Sequence, residues 1–173
     1  MLITRMASLS LCLVLGGCAV QSSQLSALKN IFFSEPNNFT ETSWDVQFGG
    51  YAANLQPVSV DGGTVFVSSK QDAISFDGWK ITKISGLNSF DPPWYIEDLG
   101  AERFFRVNDQ VIATHQCEQW LRQNIETGIK FEQRCSAINV YKNTILIDNQ
   151  GQITSIEQVV DSSLMVMRLR FNN

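Results

Sequence analysis

The chain has 173 residues, of which 44% are hydrophobic and 17% are charged, and its formal net charge is −4. This length suits one domain with a sizeable core. A mildly acidic chain without a block of basic residues excludes the charge pattern of nucleic-acid-binding proteins, so no nucleic-acid partner is expected. No apolar run reaches the roughly 20 residues of a membrane-spanning helix, and we expect a soluble body.

The N-terminal residues have the order of a secretory signal. Arg5 is followed by the apolar run from Met6 to Leu15 and then by small residues. These end at Leu15-Gly16-Gly17-Cys18, which resembles the lipobox of bacterial lipoproteins, where the cysteine is acylated and the chain is cut just before it. The alternative is a plain signal peptide with a chance cysteine. We expect residues 1–17 to be a lipoprotein signal peptide and Cys18 to be the lipidation site, carrying fatty acids such as palmitate.

The lipid anchor predicts the compartment. Several acyl chains hold a protein firmly to a membrane surface without spanning it. In the lipoproteins that this lipobox resembles, an aspartate directly after the cysteine signals retention in the inner membrane. Here Ala19 takes that position, so we expect the protein on the periplasmic face of the outer membrane. Residues 18–24 then form a lipidated tether. The next segment, Ser23 to Phe33, predicts a short amphipathic helix that packs on the domain or, as an alternative, lies on the membrane.

Two cysteines remain for the body of the chain, because Cys12 leaves with the signal and Cys18 carries lipid. An even pair in an oxidising compartment predicts a disulfide between Cys117 and Cys135. The alternatives are two free thiols or a metal site that adds His115, the sole histidine. The spacing lacks the paired ligands typical of zinc sites, so we expect no metal and no cofactor.

From Asp45 onward, short β-prone runs alternate with turn signals. Asp77-Gly78 predicts a tight hairpin turn between residues 74–76 and 79–81, with side chains alternating strictly along 79–84. Asp91-Pro92-Pro93-Trp94 predicts a loop, because prolines do not serve a central strand. Further strands are predicted at 58–60, 63–69, 73–76, 104–107, 111–120, 129–141, 141–148, 152–160 and 165–171.

The strands at 111–120 and 129–141 predict one hairpin, with Cys117 and Cys135 on its two arms. Many short strands with one N-terminal helix predict a single all-β domain over residues 25–173. We expect either an antiparallel β-sandwich or an open, curled barrel.

The chain shows no phosphate-binding loop, serine elbow or metalloprotease helix, so no catalytic residue is assigned and no enzyme activity is expected. The aromatic residues are more suggestive. Trp79 and Trp120 are predicted to pack in the core, because large aromatics supply core area. Trp94 and Tyr95 follow two prolines and are predicted to form an exposed contact for a ligand or partner.

Segments in two parts of the chain resemble a known family. Ser69–Ile74 leads into Gly78–Leu87, and near the C-terminus Ile145–Asp148 leads through a turn into Gly151–Ile153. These segments resemble the YjbF/GfcB-type lipoproteins of capsule and exopolysaccharide operons. The resemblance implies a β-rich outer-membrane lipoprotein without known catalysis, accessory to the production or export of surface polysaccharide.

The sequence therefore leaves three functions open. The first is a non-enzymatic envelope lipoprotein that binds a polysaccharide or a protein of the export machinery. The second is a module that binds lipid or lipoprotein in an apolar cavity. The third is a glycan-modifying enzyme with two carboxylates across a cleft.

Overall fold

The computed structural model of the protein describes residues 42–172. The predicted signal peptide, the lipidated tether with Cys18 and the helix at Ser23–Phe33 lie outside these residues. Within the described part of the chain there are thirteen β-strands and no helix. The strands are β1 Ser43–Phe48, β2 Tyr51–Val60, β3 Gly63–Val67, β4 Ala73–Phe76, β5 Ile81–Gly86, β6 Phe90–Leu99, β7 Glu102–Val107, β8 Gln110–Cys117, β9 Leu121–Ile125, β10 Gly128–Ser136, β11 Val140–Asp148, β12 Ile153–Val159 and β13 Val166–Asn172.

Twelve of these strands close into an antiparallel barrel. Consecutive strands pair from β1 through β8 and again from β10 through β13, and β13 pairs with β1. The ring closes where β8 meets β10, through only two residue pairs, Cys117 with Cys135 and Gln116 with Ser136. β9 lies outside the ring and, among the described strands, pairs only with β10. The fold is therefore all-β as predicted, and it is a closed barrel rather than an open one or a sandwich.

The interior of the barrel is filled by side chains. Along β1, Trp44, Val46 and Phe48 are buried while the residues between them are exposed, which is the period-two alternation of a strand with one wet face. Gln158 on β12 accepts a hydrogen bond from the Ile81 amide at 2.9 Å and donates one to the Trp79 carbonyl at 2.8 Å. Because β5 and β12 are not neighbours in the ring, opposite walls approach each other closely here.

The predicted hairpin turn at Asp77 is present, but the strict alternation predicted for residues 79–84 is wrong. The Asp77 carboxylate accepts hydrogen bonds from the Trp79 and Lys80 amides, which holds these residues in the turn. A register shift then places both Ile81 and Ile84 in the interior. A β-bulge of this kind changes which face each later side chain takes.

The loop predicted at residues 91–94 is also wrong, because Pro92 and Pro93 lie inside β6. Phe90 pairs with Gly86 and the next paired residue is Trp94, so the prolines fall in a bulge and have no partner in β5 or β7. Prolines are tolerated in a sheet at such bulges, where no ladder hydrogen bond is lost.

The two cysteines lie opposite each other and form the predicted disulfide. The hairpin predicted from strands 111–120 and 129–141 is wrong in its partner, because the turn before Gly128 joins β10 to β9, and β8 meets β10 at only two residue pairs. Both predicted strands are also too long, since β8 ends at Cys117 and β10 ends at Ser136. A tight turn closed by the Ala137 amide and the Asn139 carbonyl at 3.1 Å then leads into β11.

A groove on the outer face of the barrel

The pleat of β6 sends its side chains alternately to the two faces of the wall. Trp94 packs edge-on against Phe90 with ring centroids 5.6 Å apart, on the core side. Tyr95 points outward and is 38% exposed. The structure thus separates the two residues predicted to act together, and Tyr95 alone is on the solvent face.

Tyr95 lies in an open groove of about 720 Å³ over β4–β7. The Lys83 ammonium lies 5.2 Å from the centroid of the Tyr95 ring, a distance typical of a cation–π contact. A second groove of about 390 Å³ over β2–β5 shares Lys83, Thr82 and Ser75 with the first. The first groove is lined by Ser75, Lys80, Thr82, Lys83, Tyr95, Ile96, Glu97, Asp98, Leu99, Phe104 and Arg106.

The basic side chains of the groove differ in their acidic partners. The Lys80 ammonium lies 3.6 Å from a carboxylate oxygen of Asp77 and 3.6 Å from one of Asp98. The Arg106 Nε lies 3.0 Å from Glu97 Oε2, as an ion pair without an aligned hydrogen bond. Among the described residues, Lys83 has no acidic partner within ion-pair distance.

Beneath the groove, a polar cluster occupies one part of the interior. Arg103 is only 1% exposed, and its Nε and Nη2 donate hydrogen bonds to the two carboxylate oxygens of Asp98 at 2.8 and 3.0 Å. Arg103 also donates to Gln133 Oε1, which accepts a second bond from Asn143. Burial alone would raise the pKa of Asp98, but the hydrogen bonds and charges of Arg103 and Lys80 outweigh it and lower the pKa.

His115 is buried on the inner face of β8, where its Nδ1 lies 2.8 Å from the Tyr141 hydroxyl. Burial, followed by the charge of Arg103, lowers the pKa of His115, and the charge of Asp161 opposes this. Burial raises the pKa of Tyr141 to about 12, so the phenol stays protonated.

The lowered pKa of His115 predicts a pH-dependent stability. Between the folded-state pKa and the ordinary value of 6.5, the unfolded chain binds the proton more readily, so stability falls as pH drops below 6.5. Melting temperatures measured at pH 7.5 and 5.5 should show this loss in the wild type. The loss should shrink in His115→Gln, which has no titrating ring. An equal pH dependence in both proteins would contradict the assignment.

Asp72 links the two neighbouring segments that carry the family resemblance, residues 69–74 and 78–87. Its carboxylate accepts hydrogen bonds from the Leu87 amide at 2.7 Å, the Ser68 hydroxyl at 2.7 Å and the Tyr51 hydroxyl. A Cβ at Gly86 would lie 2.5 Å from Asp72 Oδ1, so this close approach requires a glycine. The hydrogen bonds of Asp72 therefore have a structural role, since they hold the end of β5 against the turn that precedes β4.

The remaining predicted residues lie elsewhere. Trp79, predicted to be in the core, is 48% exposed and packs against Phe131 at 5.0 Å and Trp120 at 5.9 Å, so its core assignment is wrong. Trp120 is half-buried and contacts the core cluster. Cys117 and Cys135 are bonded to each other and cannot act as thiolate ligands. Within residues 42–172, no three His, Cys, Asp or Glu side chains are grouped to hold a metal ion.

Sequence reasoning missed Lys83, Phe104 and Arg106 as neighbours of Tyr95. Their positions follow from the cross-strand register, in which Lys83 and Arg106 lie on either side of Tyr95. In the part of the chain that the structure describes, no helix has the length and apolarity required to cross a membrane.

The fold is similar to that of a solved protein, the hypothetical lipoprotein YmcC from Escherichia coli K12. The two chains share 11% sequence identity with a TM-score of 0.55, and the match covers 78% of this chain and 85% of the other. No family model matches the sequence. No curated protein matches it either. At this identity, the likeness shows a shared barrel fold alone.

Proposed function

We propose that the protein is an outer-membrane lipoprotein, anchored through Cys18 on the periplasmic side. In this proposal it assists the production or export of a surface polysaccharide without catalysis, by binding glycan in the groove around Tyr95. The observation that carries the proposal is an exposed aromatic ring surrounded by charged and hydroxyl side chains in an open groove.

The chemistry of the groove suits sugars. A sugar ring has an apolar face that packs on an aromatic ring and hydroxyl groups that hydrogen-bond to polar side chains. Tyr95 supplies the ring, while Glu97, Lys80 and Thr82 line the same groove. Because the groove is open rather than enclosed, a long polymer can pass through it. The hydrogen bonds of Gln158 across the interior leave less room for the acyl chain of a lipid, which favours glycan over lipid as the ligand.

Replacing Tyr95 should weaken glycan binding. We expect Tyr95→Ala to bind the surface polysaccharide of the source organism about threefold to tenfold more weakly, the size of one aromatic contact. Tyr95→Phe keeps the ring and should retain most of the affinity. The measurement is isothermal titration calorimetry with the lipidated protein in detergent. Ile138→Ala, at an exposed position outside the groove, is the control. Wild-type affinity in Tyr95→Ala would remove the groove from the proposal.

The anchor is tested separately. Cys18→Ser should abolish incorporation of a labelled fatty acid and should release the protein from the membrane fraction, because a single residue carries the acyl chains. Persistent labelling of the variant would show that Cys18 is not the lipidated residue.

A further inference from the structure

We propose that the ligand of the groove is an acidic glycan and that Lys83 recognises its carboxylate groups. This inference rests on the proposed function and names the class of polysaccharide. It depends on the position of Lys83 in the sheet and on the balance of charges around it.

Lys83 occupies a central place on the outer face. Ser75, Lys83, Tyr95 and Arg106 are directly paired across β4, β5, β6 and β7. They form one row across the outer face of four adjacent strands. Lys83 also lines both grooves, so a chain that runs from one groove to the other must pass it.

Among the described basic side chains that line the first groove, Lys83 is the one without an acidic partner. Lys80 is neutralised by Asp77 and Asp98, and Arg106 is paired with Glu97. The Tyr95 ring holds the Lys83 ammonium by its electron-rich face but contributes no negative charge. Asp61 lines the far groove and makes no ion pair with Lys83. An anion that enters the groove therefore meets a positioned ammonium that is not paired with any carboxylate of residues 42–172.

The setting favours a carboxylate over a phosphate. Phosphate sites in proteins recruit several cations or a cluster of backbone N–H groups. Lys83 instead offers one positive charge beside the hydroxyl-bearing side chains of Ser75 and Thr82. One ammonium with neighbouring hydroxyls matches the single charge of a uronic acid. Since the chain as a whole is acidic, such a local cation is needed to attract an acidic polymer.

The test compares three forms of one ligand. The probe is the surface polysaccharide of the source organism in its native form, after chemical reduction of its carboxyl groups to alcohols, and after removal of phosphate with hydrofluoric acid. Binding to the full-length lipidated protein in detergent is measured at low and at high salt. The variants are Lys83→Gln, Lys83→Arg as a charge-conserving variant, and Lys142→Gln as a control that removes one exposed lysine outside the groove.

We expect carboxyl reduction to weaken binding to the wild type about fivefold, the size of one solvent-accessible ion pair, with a similar loss in high salt. Lys83→Gln should bind the native polymer as weakly as the wild type binds the reduced polymer and should show no further loss on reduction. Lys83→Arg should recover most of the affinity, and Lys142→Gln should behave as the wild type.

Four other outcomes separate the claims. Equal binding of native and reduced polymer by the wild type overturns the acidic-glycan inference and leaves glycan binding intact. A loss on phosphate removal alone overturns the carboxylate assignment. Wild-type behaviour of Lys83→Gln, while carboxyl reduction still weakens binding, overturns the role of Lys83. No binding of any form by folded protein overturns the proposed function together with this inference.

Discussion

Replacing Cys117 and Cys135 together with alanine is expected to lower the free energy of unfolding by about 3 kcal/mol. The two residues are 18 apart in sequence. Opening a loop of this size restores about that much conformational entropy to the unfolded chain. For a chain of this length, the loss corresponds to a fall in melting temperature of about 6–12 °C.

Besides lowering the free energy of unfolding, loss of the disulfide should weaken the contact between β8 and β10, where the barrel closes. Most neighbouring strands share four or more residue pairs, but β8 and β10 share two, and the disulfide joins one of them. Beside it, the Cys117 amide donates to the Ala101 carbonyl at 2.7 Å and the Glu118 amide donates to the Arg134 carbonyl at 2.8 Å. Few contacts hold this seam, so the barrel should open here first once the covalent bond is lost.

Thermal unfolding followed by circular dichroism gives the global effect, and hydrogen exchange gives the local one. In the double alanine variant, the Glu118 amide, which donates across the seam to the Arg134 carbonyl, should lose more of its protection from exchange than the amides of β1 and β13 do, each compared with the wild type. Reductant should lower the melting temperature of the wild type to that of the variant and leave the variant unchanged. A variant with wild-type stability and unchanged exchange at the seam would show that the strand pairs close the barrel by themselves.

The strands themselves were largely predictable, because their signal is local. Met167 and Leu169 are buried and Arg168 and Arg170 are exposed on β13, as the sequence alternation predicts. The closure of the barrel was not predictable. It depends on Trp44 pairing with Phe171 at opposite ends of the domain, and on a seam of two residue pairs. Neither contact leaves a pattern within a short window of sequence.

Of the residues that line the groove, the sequence predicted the exposure of one, Tyr95. Tyr95 was expected to be exposed because it follows prolines, and it is exposed, although the prolines lie in a bulge of β6 rather than in a loop. Lys83 could not be placed beside it, because bulges in β5 and β6 set the register between the two strands. A shift of one residue would have turned Lys83 to the other face.

Arg103 is the residue least expected from its type, since arginine is almost never fully buried without a partner. One sequence signal points to its position. Asp98 and Arg103 flank the turn at Gly100 and are directly paired between β6 and β7, so a hairpin reading of this segment places the two charges opposite each other. Which face they take is decided by the closed barrel, which the local sequence does not encode.

Removing either partner of the Asp98–Arg103 ion pair should lower the stability of the fold, and the loss should be larger when Asp98 is removed than when Arg103 is removed. Asp98→Asn should destabilise the protein by about 3 kcal/mol, because it leaves a fully buried guanidinium without its counter-charge. Arg103→Met should cost less. Asp98, whose side chain is 26% exposed, keeps Lys80 at 3.6 Å and its contact with solvent, and Gln133 Oε1 keeps the hydrogen bond from Asn143.

The double variant tests whether the cost of Asp98→Asn comes from the stranded charge. If it does, Asp98→Asn combined with Arg103→Met should be about as stable as Arg103→Met alone, so the two effects should be strongly non-additive. Urea unfolding of the four proteins gives the coupling free energy. Equal destabilisation by the two single variants, or additive effects in the double variant, would contradict the interpretation of a buried, compensated guanidinium.

The pH dependence of the same variants provides an independent check on the charge of Asp98. Its pKa in the folded protein is lowered from the ordinary value of 3.8, so the stabilisation from the ionised carboxylate is fully present above pH 3.8. That stabilisation is lost as pH falls through the lower folded-state pKa, because the folded state must then bind a proton. The difference in stability between the wild type and Asp98→Asn should therefore be constant from pH 5 to 7 and should shrink below about pH 4. A constant difference down to pH 2 would mean that the amide disturbs packing rather than removing a charge.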